Sequence, residues 1–251
     1  MYQNNTISII DNSHEWKSRY EADIFLRNDT IYSFGGYGYF NFKNDLLFFD
    51  KKTGEWNLDK KFEFIKNRSK SIGFYNKSKN EYFFGLGKNK EGALQDLYKY
   101  NFNQETLKQL GSITEELNEY IIVPNYNYPL LVTKEKIFLL NFENNTLREY
   151  TNPNLIIESA EKITYNKKLD QFLINKNTST DLKNQVLLKS IDLLGINYIE
   201  KSFENNKSNL TQYVLIGFLI CIVILFKIFK KNNSINLKPL EQNLNILDKS
   251  F

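Results

Sequence analysis

Cysteine and histidine each occur once in the 251 residues, as Cys221 and His14. One cysteine cannot close an internal disulfide. One histidine with no cysteine near it leaves only carboxylates as further metal ligands, which argues against a zinc or copper centre. A Ser or Cys nucleophile activated by histidine would have to use His14. That residue sits in Asp11-Asn12-Ser13-His14-Glu15-Trp16, which reads as a solvated polar turn. A strong excess of positive charge is missing too. The net charge is +4, and no soluble basic stripe stands out, so the main domain is not expected to contact nucleic acid. The N-terminus lacks the basic and apolar regions of a signal peptide. Proline occurs four times and alanine three.

Aromatic residues are abundant instead, with 20 Phe and 16 Tyr. Asn and Lys are also heavily used, a mix that resembles translation from a low-GC genome. Ile31–Trp56 holds the clearest pattern. An apolar run stops at Gly35-Gly36, and an aromatic loop follows. A second apolar run, Leu46-Leu47-Phe48-Phe49, ends at Asp50, and the turn Lys51-Lys52-Thr53-Gly54 leads to Trp56. Two strands precede it, around Glu21–Leu26 and Thr30–Phe34. Arg27-Asn28-Asp29 joins them, and Asn and Asp tolerate the left-handed backbone of a tight turn.

The pattern recurs. Lys70–Tyr75 and Glu81–Phe84 are predicted strands, and Phe84-Gly85-Leu86-Gly87 matches Phe34-Gly35-Gly36-Tyr37 at a shift of 50 positions. Tyr100 lies 51 positions after Phe49, and Leu107 lies 51 after Trp56. A shortened third unit, about Glu119–Tyr150, keeps the spacing in Leu140 and Leu147 without the glycines. A fourth, about Glu158–Lys201, has strands at Lys162–Tyr165, Asp170–Ile174 and Gln185–Ile191, with a last strand near Ile196–Ile199. Thr6–Asp11 followed by Trp16 looks like the second half of another unit. Four short strands at a period of roughly 40–50 residues predict an all-β propeller, whose blades must stack to bury both faces.

The glycine pair Gly35-Gly36, the aromatic Phe49 and the Trp56 that follows after six residues resemble the kelch repeat, here of bacterial type. The resemblance covers about Met1–Lys201. It implies a kelch-type β-propeller over 1–203 with about four and a half blades in this chain, and hence further blades upstream. On this reading Gly35, Gly36, Phe49, Trp56, Gly85, Gly87, Tyr100, Leu107, Leu140 and Leu147 are structural repeat positions. Some kelch propellers resemble copper radical oxidases, which need two histidines and a Cys crosslinked to Tyr; His14 and Cys221 cannot supply that set. Sialidase-like catalysis needs an arginine cluster, and Arg19, Arg27, Arg68 and Arg148 stand at no matching motif. The chain is therefore read as non-catalytic, with no cofactor and no metal.

After a linker at 204–212, Tyr213–Phe229 reads as one transmembrane helix. Its first fourteen residues carry no charge. Seventeen helical residues span roughly 25 Å, within reach of a bilayer core of roughly 30 Å, and Lys227 can snorkel. Lys230, Lys231 and Lys238 follow it, which puts the C-terminus in the cytoplasm and the propeller outside. The alternative is a tail-anchored protein with a cytosolic propeller. In the tail, 230–251, Leu237, Leu240, Leu244, Leu247 and Phe251 form an apolar stripe at helical spacing, for which no partner is identified.

Propellers bind at one end of the axis through loops between strands. The expected ligand contacts are Tyr37, Tyr39, Phe40 and Phe42 in the first unit and Lys88, with Lys90 and Glu91, in the second. Such rings could stack on a sugar or anchor a peptide; the alternative is that they plug between blades. The predicted function is a membrane-anchored binding module for a protein or glycan ligand. The second reading is a single-pass sensor coupled to a cytoplasmic effector.

Overall fold

The computed structural model describes residues 2–3, 6–7, 10–13, 16, 18–124, 126–151, 160–176, 184–189, 194, 197–204, 222–225 and 227. The chain divides into two compact units, Met1–Asn205 and Asn206–Phe251. In the second, residues 222–225 and 227 are helical. No helix of the described residues is long and apolar enough to cross a membrane. Most of the predicted span Tyr213–Phe229 and all of the tail after it lie outside the described residues.

The first unit is all-β, with four blades in a propeller arrangement. It opens with a small hairpin of β1 (Tyr2–Gln3) and β2 (Thr6–Ile7). In blade 1, β3 (Asp23–Arg27) and β4 (Thr30–Phe34) lead to a two-stranded arm, β5 (Tyr37–Gly38) and β6 (Asn41–Phe42). Then come β7 (Asp45–Asp50) and β8 (Glu55–Lys61), giving the sheet order β3-β4-β7-β8. Blade 2 repeats the plan. β9 (Ile72–Asn76) and β10 (Glu81–Gly85) precede an arm of β11 (Lys88–Asn89) and β12 (Gly92–Ala93), followed by β13 (Asp96–Asn101) and β14 (Thr106–Ser112). Blade 3 has no arm: β15 (Ile121–Val123), β16 (Leu130–Val132), β17 (Lys136–Asn141) and β18 (Thr146–Thr151) follow directly. Blade 4 contributes β19 (Ala160–Asn166), β20 (Gln171–Lys176) and β21 (Asn184–Lys189). All pairings are antiparallel.

The six-residue spacing has a direct meaning. Phe49 lies opposite Trp56, Tyr100 opposite Leu107, and Leu140 opposite Leu147, each pair across the outer turn of its blade. Asn28 and Asp29 both take positive φ (46° and 59°) in the two-residue loop between β3 and β4, as their side chains favour.

Among the described residues, three apolar cores join the four blades. Tyr32, Phe34 and Leu46 of blade 1 meet Tyr82, Phe84 and Tyr100 of blade 2. Ile72, Phe83 and Leu97 meet Leu131, Phe138 and Leu140 of blade 3. Val123, Leu130 and Leu139 meet Ile163, Phe172 and Ile174 of blade 4. Tyr100 and Leu107 pack in the first core and Leu140 and Leu147 in the second, so each pair faces the preceding blade. By that equivalence Phe49 and Trp56 look away from blade 2. There the Trp56 N–H donates to Ser13 Oγ (2.6 Å) and the Asn12 N–H to Gly54 O (2.7 Å).

Two expectations are corrected. The described residues form four blades rather than four and a half: the described part of Met1–Ser18 is the β1–β2 hairpin and a stretch bonded to the outer turn of blade 1. The predicted last strand of blade 4, near Ile196–Ile199, does not join that blade. β22 (Ile199–Ser202) instead pairs antiparallel with β18, as a fifth strand on blade 3. Its side chains find partners there. Glu200 meets Arg148 (2.9 Å), and Lys201 bridges Glu149 (2.7 Å) and Glu115. Phe203 is buried in the core between blades 2 and 3. Bonds from two carboxylates push the Lys201 ammonium up to about 12.

Blades 1 and 2 also meet near the axis. The Tyr82 hydroxyl donates to Asp23 Oδ2 (2.6 Å). This contact requires glycine at 73, where a Cβ would sit 1.8 Å from the same oxygen. Burial pushes the Asp23 carboxyl up to about 6 from 3.8, against the opposing effect of the Tyr82 bond. The folded chain thus holds this proton more tightly than the unfolded one. Asp23 therefore makes stability decline as pH rises from about 4 to about 6, by at most about 1.4 kcal/mol per pH unit. In Asp23→Asn that component of the slope should vanish when urea midpoints are measured across this range.

Candidate functional site

β4 and β10 end at the same face of the unit, and both arms stand there. Between them lies a cleft of about 430 Å³ lined by Tyr37, Phe40, Asn41, Phe42, Lys66, Asn67, Asn89, Lys90 and Glu91. One buried side chain next to Lys66 and Asn67 in sequence ties its walls together. Arg68 is 0% exposed. Its backbone N–H donates to Lys43 O (2.8 Å), and its carbonyl accepts from the Gly36 N–H (2.8 Å). Its guanidinium donates to Leu86 O (3.1 Å) and to both oxygens of Asp96 (3.0 and 2.7 Å). Arg68 thus clamps the loop between blades against both arms and holds Lys66 and Asn67 in the cleft. Gly35, at φ +66°, permits the approach: a Cβ there would lie 2.8 Å from Arg68 O. Burial alone would raise the Asp96 pKa, but the bonds and charge of Arg68 outweigh it and hold the carboxyl below its usual value.

The same device stands one blade earlier. Arg19 donates to Gly35 O (3.0 Å) and to Asp45 Oδ2 (3.1 Å). The two aspartates, 45 and 96, are 51 positions apart, as are the loop residues 35 and 86. Matched bonds confirm that register. The Gly35 N–H donates to Asp45 O and the Leu86 N–H to Asp96 O; the Lys43 N–H donates to Gly36 O and the Leu94 N–H to Gly87 O. Leu86, not Gly85, is the counterpart of Gly35, and it takes positive φ (52°) itself. The shift of 50 read from the glycines is one residue short. Sequence alone marks neither arginine as part of the repeat, although the shared shift of the aspartates is a usable signal.

The predicted ligand contacts separate. Tyr37 and Phe42 pair across the blade 1 arm with ring centroids 4.9 Å apart, and both line the cleft, as does Phe40. Tyr39, beside Phe40 at the tip, is exposed and outside the cleft lining. Lys88 is elsewhere. Its backbone pairs with Ser69, its ammonium stands 3.8 Å from Glu21, and it lines a separate recess with Lys70, Tyr120 and Thr133. Asn41 belongs to the same arm loop, whereas Lys66, Asn67 and Asn89 are brought here by the folding of the blade junction.

The cleft is polar as well as aromatic. Lys66 and Glu91 form an exposed ion pair across its rim (3.1 Å), worth little in water. Asn67 and Lys90 have no hydrogen-bond or ion-pair partner among the described residues. Tyr39 and Phe40 form the two-residue loop of the arm, with φ of +50° and +63°. Such backbone disfavours bulky side chains by roughly 1–2 kcal/mol per residue. The blade 2 arm turns instead through Lys90 and Glu91, with the Asn89 side chain accepting from the Glu91 N–H (2.8 Å). No protein-family model matches this chain, and no curated protein matches it.

Proposed function

We propose that the chain is a non-catalytic binding module, a kelch-type propeller that recognises a protein or glycan in the cleft between its two arms. The observation that carries this is the cleft itself: aromatic rings, amides and an exchangeable ion pair, supplied by three separate segments and fixed by Arg68. The propeller fold is compatible with such a role. In this reading Tyr213–Phe229 anchors the module in the bilayer, with the propeller outside and the tail in the cytoplasm; nucleic acid is not a partner. The sensor reading draws on connectivity, because β22 is the last strand before the C-terminal unit.

The test uses the detergent-solubilised full chain, immobilised and offered defined glycans and extracytoplasmic protein fractions. A retained ligand should be released chemically unchanged and should bind at least tenfold more weakly to Phe42→Ala. Leu187→Ala, on the exposed face of blade 4, should bind as the parent does. A ligand converted on contact, or one indifferent to Phe42→Ala, would overturn the proposal.

A further inference from the structure

We propose that the arm cleft is a carbohydrate site and that Phe40 is its stacking platform; this rests on the reading of the cleft as the binding site. The first observation is a residue choice against local preference. A two-residue loop with positive φ at both positions suits Asn-Gly or Asn-Asp. Blade 1 uses Asn28-Asp29 in one such loop, yet carries Tyr39-Phe40 in the other. Packing does not account for it, because Phe40 is 92% exposed and Tyr39 60%. Two strained aromatics in solvent point to contact with something outside the chain.

The second observation is what surrounds Phe40. The lining contains no Leu, Ile, Val or Met, so it offers no socket for an aliphatic anchor of a peptide. It offers the rings of Phe40, Tyr37 and Phe42 together with the amides of Asn41, Asn67 and Asn89. A sugar ring has a complementary build. Its C–H face lies on an aromatic ring, and its hydroxyls donate to and accept from amides and charged groups. Asn67 and Lys90 are without partners among the described residues, and the Lys66–Glu91 pair can exchange its mutual contact for hydroxyls. A volume of about 430 Å³ is in the range of small-ligand sites and admits a short oligosaccharide.

The test replaces the tip by its locally preferred sequence, in the double variant Tyr39→Asn/Phe40→Gly. Saturation-transfer NMR with cellobiose, chitobiose, maltose and lactose is run on the full chain in detergent. At least one disaccharide should receive saturation from the parent chain. In the double variant the signal should fall at least tenfold, while the melting temperature rises by about 2–8 °C per relieved residue. Phe64→Ala, which removes a 93% exposed ring outside the cleft, should change neither. Transfer that survives the double variant but not Phe42→Ala would leave the cleft in place and remove Phe40 as the platform. Transfer indifferent to Phe42→Ala would remove the cleft itself. No transfer from any of the four sugars would overturn the carbohydrate assignment, and a peptide ligand bound in the cleft would replace it. A lower melting temperature would overturn the strain argument.

Discussion

Replacing Arg68 with methionine is expected to lower the unfolding free energy by about 3–5 kcal/mol, the usual cost of removing one partner of a buried ion pair. The size follows from what is left behind. Asp96 keeps its place under the Leu86 loop without its two bonds, and Leu86 O and Lys66 O lose a donor each. The backbone bonds of residue 68 to both arms do not depend on the side chain, so the loop stays threaded but loses its clamp. Urea unfolding followed by the fluorescence of Trp16 and Trp56 measures the loss. The pH dependence is specific. In the parent, the depressed Asp96 carboxyl contributes stability above about pH 4 that is lost as pH falls below it. In Arg68→Met the carboxyl keeps its Tyr98 bond but loses the guanidinium, so burial pushes it upward, and the defect should be largest at neutral pH and shrink in acid. Adding Asp96→Leu should recover much of the loss, because an apolar pair of similar volume needs no partner. If Arg68→Met unfolds within 1 kcal/mol of the parent, the clamp is not what holds the junction.

Phe203→Ala is expected to cost about 3–5 kcal/mol, as for other buried phenylalanines. Phe203 enters the core between blades 2 and 3 beside Leu110 and packs edge-on to Phe142 at 6.3 Å. Its N–H donates to Asn145 O (2.8 Å), and Glu204 and Ser112 exchange backbone bonds of 2.8 and 2.9 Å. Removing the ring therefore loosens two blades at once. Ile199→Ala, at the far end of the same strand and 61% exposed, should stay within about 0.5 kcal/mol of the parent. Equal costs at both positions would mean that the strand contributes through its pairing and not through Phe203.

The arginine clamp serves blades 1 and 2, and β22 serves blade 3. At the position where blades 1 and 2 carry Asp45 and Asp96, the register of Leu140 on Tyr100 gives blade 3 a lysine, Lys136. No arginine clamp is possible there. The charge pairing is inverted instead: Lys136 and Lys201 both bind Glu149, which lowers its pKa. The blade that keeps the six-residue spacing but has lost the glycines is the one that β22 braces.

What could be read in advance follows the range of the interactions. The cross-strand pairs Phe49–Trp56, Tyr100–Leu107 and Leu140–Leu147 are seven positions apart in sequence and repeat, so spacing alone revealed them. The Asn28-Asp29 turn was equally local. The Arg68 clamp was hidden because an arginine among many lysines reads as surface charge until its bonding register is known. A strand near Ile196–Ile199 is legible but its partner is not, because Thr146–Glu149 lies about fifty residues earlier and the adjacent blade lacks a fourth strand among the described residues. In the cleft, the aromatics of the arm were legible as a cluster. Lys66, Asn67 and Asn89 were not, because blade stacking, not sequence proximity, gathers them.

The return of β22 also sets a schedule for synthesis. Blade 3 is complete in its own strands once residue 151 has emerged, yet the core it shares with blade 2 still lacks Phe203. The intervening 53 residues (204 − 151) take roughly 3–10 s to translate at 5–20 residues per second. For that interval the outer edge of β18 is unpaired, its backbone open to any extended chain nearby. Blade 4 is made during the wait, and the strand that seals blade 3 arrives after it. The nascent chain is therefore most vulnerable to mispairing just before its apolar C-terminal stretch leaves the ribosome.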